Sequence, residues 1–253
     1  MPKPDFIVPG FQKGGTTAVR FILRTQFSDE VYMPNCLHPD CLHRAEYGFW
    51  FPPYPIHEQG VEWYYEEFKE GMVNGEKSPQ YCHKPDIVFS LMKEHIPDCK
   101  FIFCVRNPVT RAFSAWNHYK TIWPKSKEYG IFDVKKSFYE NLLDEELQQA
   151  FLFAGCYNWA IKRILLHYPM EQMHFVVQER LASKNKEIMQ EEWDKISDFL
   201  GITKRRVYQS YIHDRHYHEP MSSPVRDFLN GYYYQHNQRF FKTIGMEIPE
   251  WKN

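Results

Sequence analysis

The stretch that most constrains this chain runs from residue 5 to residue 20. Asp5-Phe6-Ile7-Val8-Pro9 is a short apolar run. Gly10-Phe11-Gln12-Lys13-Gly14-Gly15-Thr16-Thr17 is a glycine-rich turn, and a helix-compatible segment opens at Ala18. Glycine lets backbone N–H groups come close to an anion, and a helix N-terminus adds partial positive charge. The hydroxyls of Thr16 and Thr17 can donate to the same oxygens. The layout is that of a phosphate loop with one departure. Gly10 and Gly15 have the spacing of G-x-x-x-x-G-K-[ST], but Thr16 stands where that pattern has its lysine. The lysine comes earlier, at Lys13, inside the turn. It can still touch a phosphate, but the metal-nucleotide geometry of that pattern is no longer implied.

The rest of the chain alternates strands and helices. Strands are predicted at about 5–9, 72–76, 100–105 and 173–177. Helices are predicted at about 15–27, 61–69, 84–94, 108–121, within 134–149, and at 155–168, 186–200 and 222–243. The 155–168 segment has Tyr157, Ile161, Ile164, Leu165 and Tyr168 on one face, and the 186–200 segment groups Met189, Trp193, Ile196 and Leu200. Strands separated by helix-length segments imply an α/β fold, a parallel sheet flanked by helices, with ligands at the carboxyl ends of the strands. With 253 residues, 43% of them hydrophobic, a substantial core is available, and residues 1–253 read as a single domain. No run approaches the length of a membrane span. A net charge of −1 argues against a nucleic-acid partner.

A second strand-to-helix junction follows Lys100-Phe101-Ile102-Phe103-Cys104-Val105. It reads Arg106-Asn107-Pro108-Val109-Thr110-Arg111, with Pro108 suited to the first turn of a helix. Residues 100–127 hold six Lys or Arg and no Asp or Glu. A one-sign stretch beside such a junction suits an anion. Taken alone it reads equally as a solvated helix face with one structural arginine.

Together these segments resemble the sulfotransferases that use 3′-phosphoadenosine 5′-phosphosulfate, and the Gln12-Lys13-Gly14-Gly15-Thr16-Thr17 wording is closest to the heparan-sulfate-type branch. Arg106 and, eight residues on, Ser114 match that family's 3′-phosphate segment. Gly75-Glu76-Lys77-Ser78-Pro79-Gln80-Tyr81 resembles its Glu-Lys-(Ser/Thr)-Pro-x-Tyr segment, whose lysine points into the active site. Glu179-Arg180-Leu181 and the helix after it resemble its C-terminal half. The resemblance implies a P-loop-like sulfotransferase fold. It implies 3′-phosphoadenosine 5′-phosphosulfate as donor, with adenosine 3′,5′-bisphosphate as product, and no metal. The donor residues it implies are Lys13, Gly14, Gly15, Thr16, Thr17, Ala18, Arg106 and Ser114. Arg215 is the one residue able to stand in for a Lys-Gly-Arg loop that contacts the 3′-phosphate. Golgi members of the branch carry a membrane anchor and a late cysteine pair. This sequence shows neither, which favours a soluble cytoplasmic enzyme, with a trimmed luminal domain as the alternative.

Sulfonyl transfer needs in-line positioning, charge stabilisation on the leaving oxygen and a base for the attacking group. Lys13 can neutralise the leaving oxygen, and Lys77 is a second candidate at the transferring group. For the base the resemblance selects Glu46, ahead of aromatic residues as in the family's Glu-x-His-Phe-Phe pattern, although Gly48 stands where that pattern has histidine. His43 and His118 compete for the role. Trp50-Phe51-Pro52-Pro53-Tyr54 reads either as core or as an acceptor-pocket lining. His213, His216 and His218 have no standard ligand spacing and read as a solvated loop. The acceptor is a hydroxyl or amine of a glycan or small molecule. The acidic run Glu58, Glu62, Glu66, Glu67 and Glu70 tilts it towards a weakly charged one. A P-loop-type kinase is the rival enzyme class, opposed by the displaced lysine and by a strand ending in Arg106 rather than aspartate. A nucleotide- or glycan-binding module without catalysis is the non-enzyme alternative. The sequence gives no oligomeric state.

Overall fold

The computed structural model describes residues 1–35, 46, 48–52, 56–122, 135–208 and 220–252. The chain forms two compact units: Met1–Val105 with Lys162–His213, and Arg106–Ile161 with Asp214–Asn253.

The first unit is built on a sheet of five strands, β1 (Phe6–Gly10), β2 (Val31–Tyr32), β3 (Val73–Lys77), β4 (Lys100–Val105) and β5 (Met173–Val177), in the order β2-β3-β1-β4-β5. Every neighbouring pair is parallel. β1, β4 and β5 are largely apolar runs, as expected where helices cover both faces, whereas β3 reads Val73-Asn74-Gly75-Glu76-Lys77. Side chains alternate across the sheet. On one face Phe6, Val8, Ile102, Cys104 and Val176 pack with Val19, Ile22 and Leu23 of α1 (Thr16–Gln26) and with Trp193 and Ile196 of a later helix, Lys186–Leu200. On the other, Phe101 and Phe103 meet Phe89, which belongs to the helix Pro85–His95. Gly75 lies directly beside Phe6 in the sheet, and a Cβ there would sit 2.2 Å from the Phe6 ring, so only glycine fits.

In chain order the remaining helices are α2 (Ile56–Tyr65), α3 (Pro85–His95), α4 (Pro108–Ile122), α5 (Phe138–Leu143), α6 (Glu145–Phe151), α7 (Tyr157–Ile164), α8 (Gln178–Leu181), α9 (Lys186–Leu200) and α10 (Ser223–Ile244). The second unit has its own core, in which Val109, Ala112, Phe113 and Trp116 of α4 pack with Phe138, Leu142, Phe151, Leu229 and Tyr233. Among the described residues no helix is long and apolar enough to cross a membrane.

The strands at 100–105 and 173–177 and the helix at 186–200 match the sequence-based expectation to the residue. Three segments differ. The 155–168 pattern is helical only over Tyr157–Ile164, because Pro169 disfavours helix in the residue before it and the chain leaves through i→i+3 turns at Leu166 and His167. Residues 134–149 hold two short helices, the first opened by a capping box of Ser137 and Glu140. The helix expected at 61–69 spans Ile56–Tyr65 and is interrupted at Gly60, whose φ of 76° and ψ of 165° are non-helical. The two-residue β2 is too short to leave a periodic signal.

Candidate active site

The turn after β1 is made of backbone. Phe11 N–H donates to Cys104 O at 2.9 Å, tying the turn to β4, and Gly14 N–H donates to Phe11 O at 2.8 Å. A Cβ on Gly14 would lie 2.1 Å from Cys104 O, so no other residue fits without moving the strand. Lys13 adopts the left-handed region at φ 67°, and Gly15 follows at φ 104° as the N-cap of α1. Gly15 has no side chain with which to cap, and the first turn of α1 carries no acidic residue. The partial positive charge of that helix end is therefore not neutralised from within the helix. Thr16 is buried and Thr17 exposed at the same end. A glycine cradle, a lysine beside it and an uncapped helix start fit a phosphate group.

Lys77 ends β3, next to β1, in register with Val8. Its side chain is 2% exposed, and its Nζ donates to Glu46 Oε1 at 2.5 Å; Glu46 itself is 32% exposed. Burial lowers the Lys77 pKa, the charge and hydrogen bond of Glu46 push it back up, and Arg20 of α1 lowers it further. The sheet thus brings the lysine and carboxylate singled out in the sequence into one pair, at the carboxyl end of a strand adjoining the glycine turn.

Behind that pair, on the opposite face of β3, Glu76 is fully buried. Tyr64 Oη and Tyr81 Oη each donate to its Oε1 at 2.9 Å, and Ser78 Oγ donates to Oε2 at 3.0 Å. The same three residues grip the segment that follows Glu46. Gly48 N–H donates to Ser78 Oγ at 2.9 Å, Trp50 N–H donates to Tyr81 Oη at 3.4 Å, and the Phe49 ring stacks on Tyr64 at 4.4 Å. Burial pushes the Glu76 pKa up to about 7 against the pull of the three hydroxyls. Gly48 has φ 64°, and a Cβ there would be 2.8 Å from Gln80 Nε2. That is a physical reason for glycine where the resembled pattern has histidine. Phe49 and Trp50 are core residues, whereas Phe51 and Pro52 are half-buried, so only Trp50 of the aromatic–proline segment reads as packing. Sequence reasoning overlooked Glu76, Ser78 and Tyr81 as a set, although all three lie in the motif that supplied Lys77.

Arg106 and Ser114 belong to the second unit. Arg106 Nε donates to Thr110 Oγ1 at 3.0 Å, and its carbonyl accepts from Tyr157 Oη at 2.7 Å. Asn107 Oδ1 accepts from Val109 N–H at 3.0 Å, opening α4 with Pro108 in its first turn, and Ser114 is buried on that helix. The basic run is less uniform than its composition implies. Arg111 is fully buried and donates to Phe151 O at 2.6 Å and Ala150 O at 3.3 Å, the last carbonyls of α6; Lys100 donates to Phe199 O at 2.7 Å. Of the run's cations these two face backbone carbonyls, so the alternative of a structural arginine holds for Arg111. His118 lies on α4 with its ring edge-on to Tyr119. His43, Arg215, His213, His216 and His218, and the Cys36–Cys41 pairing, lie outside the described residues. Cys82, Cys99, Cys104 and Cys156 are buried free thiols.

A parallel sheet whose first strand feeds an uncapped helix through a glycine turn places the chain in the class of phosphate-loop α/β proteins. Within that class the sulfotransferase domain family matches residues 3–252, and the chain belongs to it. Among curated proteins the chain is 26% identical over 285 residues to the mouse bifunctional heparan sulfate N-deacetylase/N-sulfotransferase 4, covering 98% of this chain and 31% of that protein. It is 28% identical over 232 residues to the human heparan sulfate glucosamine 3-O-sulfotransferase 3B1, covering 85% and 49% respectively. The chain thus spans from about a third to half the length of these relatives. Among solved structures, a sulfotransferase from Alicyclobacillus acidocaldarius shares the fold over the whole of both chains, with a TM-score of 0.76 at 22% identity.

Proposed function

We propose that the chain transfers a sulfonate group from 3′-phosphoadenosine 5′-phosphosulfate to a hydroxyl or amine of a glycan or small-molecule acceptor. The observation that carries this reading is the Glu46–Lys77 pair at the end of β3, the strand next to the glycine turn. A carboxylate held by a buried ammonium beside a phosphate cradle supplies a proton acceptor and a leaving-group site in one unit.

In this reading the donor's 5′-phosphosulfate lies on Lys13, Gly14, Gly15, Thr16, Thr17 and Ala18. Arg106 and Ser114 take its 3′-phosphate, and Arg215 is retained as a further contact. The acceptor oxygen or nitrogen attacks sulfur as the bond from sulfur to the bridging oxygen breaks. The acceptor proton passes to Glu46. Charge on the departing phosphate oxygen is met by Lys13 and the start of α1. Lys77 holds the Glu46 carboxylate in place. Because Lys13 and the helix end supply the neutralising charge, turnover persists in EDTA. The names of the heparan sulfate relatives support a glycan acceptor carrying amine or hydroxyl groups.

Calorimetry with adenosine 3′,5′-bisphosphate, AMP and ATP tests the donor. The bisphosphate should bind most tightly, and Arg106→Ala should remove most of its advantage over AMP, by about 10- to 100-fold for a lost charge-assisted contact. Equal affinity of the wild type for AMP and the bisphosphate would remove the 3′-phosphate assignment. Incubation with labelled donor and a panel of desulfated heparin, chitosan oligosaccharides and simple phenols, read as mass gain of one sulfonate, tests the acceptor class.

A further inference from the structure

Glu76 is absent from the reaction just described, yet everything that grips the segment after Glu46 is tied to it. An ionised carboxylate only accepts hydrogen bonds. Three hydroxyl protons therefore turn inward to Glu76, from Tyr64, Ser78 and Tyr81. That leaves the lone pairs of Ser78 Oγ and Tyr81 Oη facing outward, where the Gly48 and Trp50 N–H groups donate to them. Tyr64, fixed by its own bond to Glu76, presents its ring face to Phe49. Three consecutive residues, 48 to 50, are thus held by three side chains whose orientation one carboxylate sets. On the other face of β3, Lys77 holds Glu46 directly.

We propose that Glu76 is a positioning residue: through Tyr64, Ser78 and Tyr81 it fixes the Gly48–Trp50 segment and so sets where the Glu46 carboxylate stands. The proposal rests on the reading of Glu46 as the base. Its logic is the polarity of the hydroxyls. Any group at position 76 that donates, whether a protonated glutamic acid or a glutamine, forces one hydroxyl to turn round or leaves it without an acceptor. The titratable groups around Glu76 are Tyr64 from α2, Tyr81 from the turn after β3 and, at longer range, Cys99 ahead of β4; the burial-raised pKa of Tyr64 and Tyr81 keeps both as donors. Protonation of Glu76 therefore loosens the segment as pH falls.

The test combines two readouts on Glu76→Gln, Ser78→Ala and Glu46→Gln. The first is amide hydrogen exchange, which needs no acceptor. In Glu76→Gln and Ser78→Ala, protection of the Gly48 and Trp50 amides should fall about tenfold or more, the worth of one lost hydrogen bond, while amides of β1 and β4 keep theirs. The second is a double-mutant cycle on turnover, with N-desulfated heparin or whichever panel compound accepts sulfonate. Glu76→Gln alone should lower kcat about tenfold with bisphosphate affinity unchanged, and should add less than about twofold in the Glu46→Gln background. If Glu76→Gln does not fold, Ser78→Ala carries both arms, since it removes a single hydroxyl. Unchanged exchange at Gly48 and Trp50 would overturn the proposal, as would a full Glu76→Gln effect persisting without Glu46. Wild-type turnover in Glu46→Gln is a different failure: it removes the base assignment, and with it the catalytic half of the proposal, even where the exchange result holds.

Discussion

The turn at Lys13–Gly15 follows β1, and the segment at Gly48–Trp50 is held beyond the end of the neighbouring strand β3, but they are built differently. The first is held by backbone: an amide bond to Cys104 O, a tight internal bond and a glycine pressed against the neighbouring strand. The second is held by side chains on α2, on the end of β3 and on the turn after it. A backbone-made site depends on a few local glycines and fails abruptly when a Cβ intrudes. A side-chain-made site depends on several distant residues and degrades in steps, because each hydrogen bond contributes only about 1 kcal/mol.

Substitutions can break that contrast, the most damaging being at Gly14. Gly14→Ala places a methyl 2.1 Å from a strand carbonyl, with no flexible partner to yield. We expect a loss of at least about 3 kcal/mol, or roughly 10 °C in melting temperature, together with loss of bisphosphate binding. Calorimetry and thermal melting measure both. An alanine variant with normal affinity would mean that the loop accommodates side chains and is not a backbone cradle.

Glu46→Gln comes next, and its effect should fall on chemistry alone. Glutamine keeps an oxygen for Lys77 but cannot take the acceptor proton. Turnover should drop by ~10²–10⁴-fold, while bisphosphate affinity stays within about twofold. Near-normal turnover would transfer the role of base to His43 or His118.

The remaining effect is one of pH on stability, which leaves the folded architecture intact. The unfolded chain releases the Glu76 proton near 4.5, whereas the folded chain holds it to about 7. Between those values the folded state binds more protons, so stability falls as pH rises across the window and levels off above it. The drop attributable to this group is about 3 kcal/mol. Urea unfolding of wild type and Glu76→Gln across the same window should show the slope in the first and its absence in the second. Parallel profiles would mean that folding does not raise the Glu76 pKa.

These two regions also differ in how far a reader of the sequence alone can see them. Gly10, Lys13, Gly14, Gly15, Thr16 and Thr17 are consecutive or nearly so, and the turn they make depends on φ values that glycine permits; spacing therefore suffices. Lys77 was legible through its motif, and Glu46 through its place before aromatic residues. That the two form a pair was not legible, because 31 residues separate them. Arg111 shows the reverse error. It counts towards a basic stretch in the sequence, yet it caps the last carbonyls of α6. Composition reports charge but not the direction of a side chain.

What the sequence determined by itself was the alternation of strand and helix, the parallel sheet, the glycine turn at the end of its first strand, and membership of a family whose segments lie in the same order along the chain. Period and local backbone preference carry the first three, and the resemblance of motifs in order along the chain carries the last; all act over a few residues at a time. Only the tertiary structure decided that β3 lies beside β1, that Glu46 meets Lys77, and that Glu76 gathers three hydroxyls. Each of those depends on which residues a fold brings within about 3 Å, the reach of a hydrogen bond, and no local propensity encodes that distance.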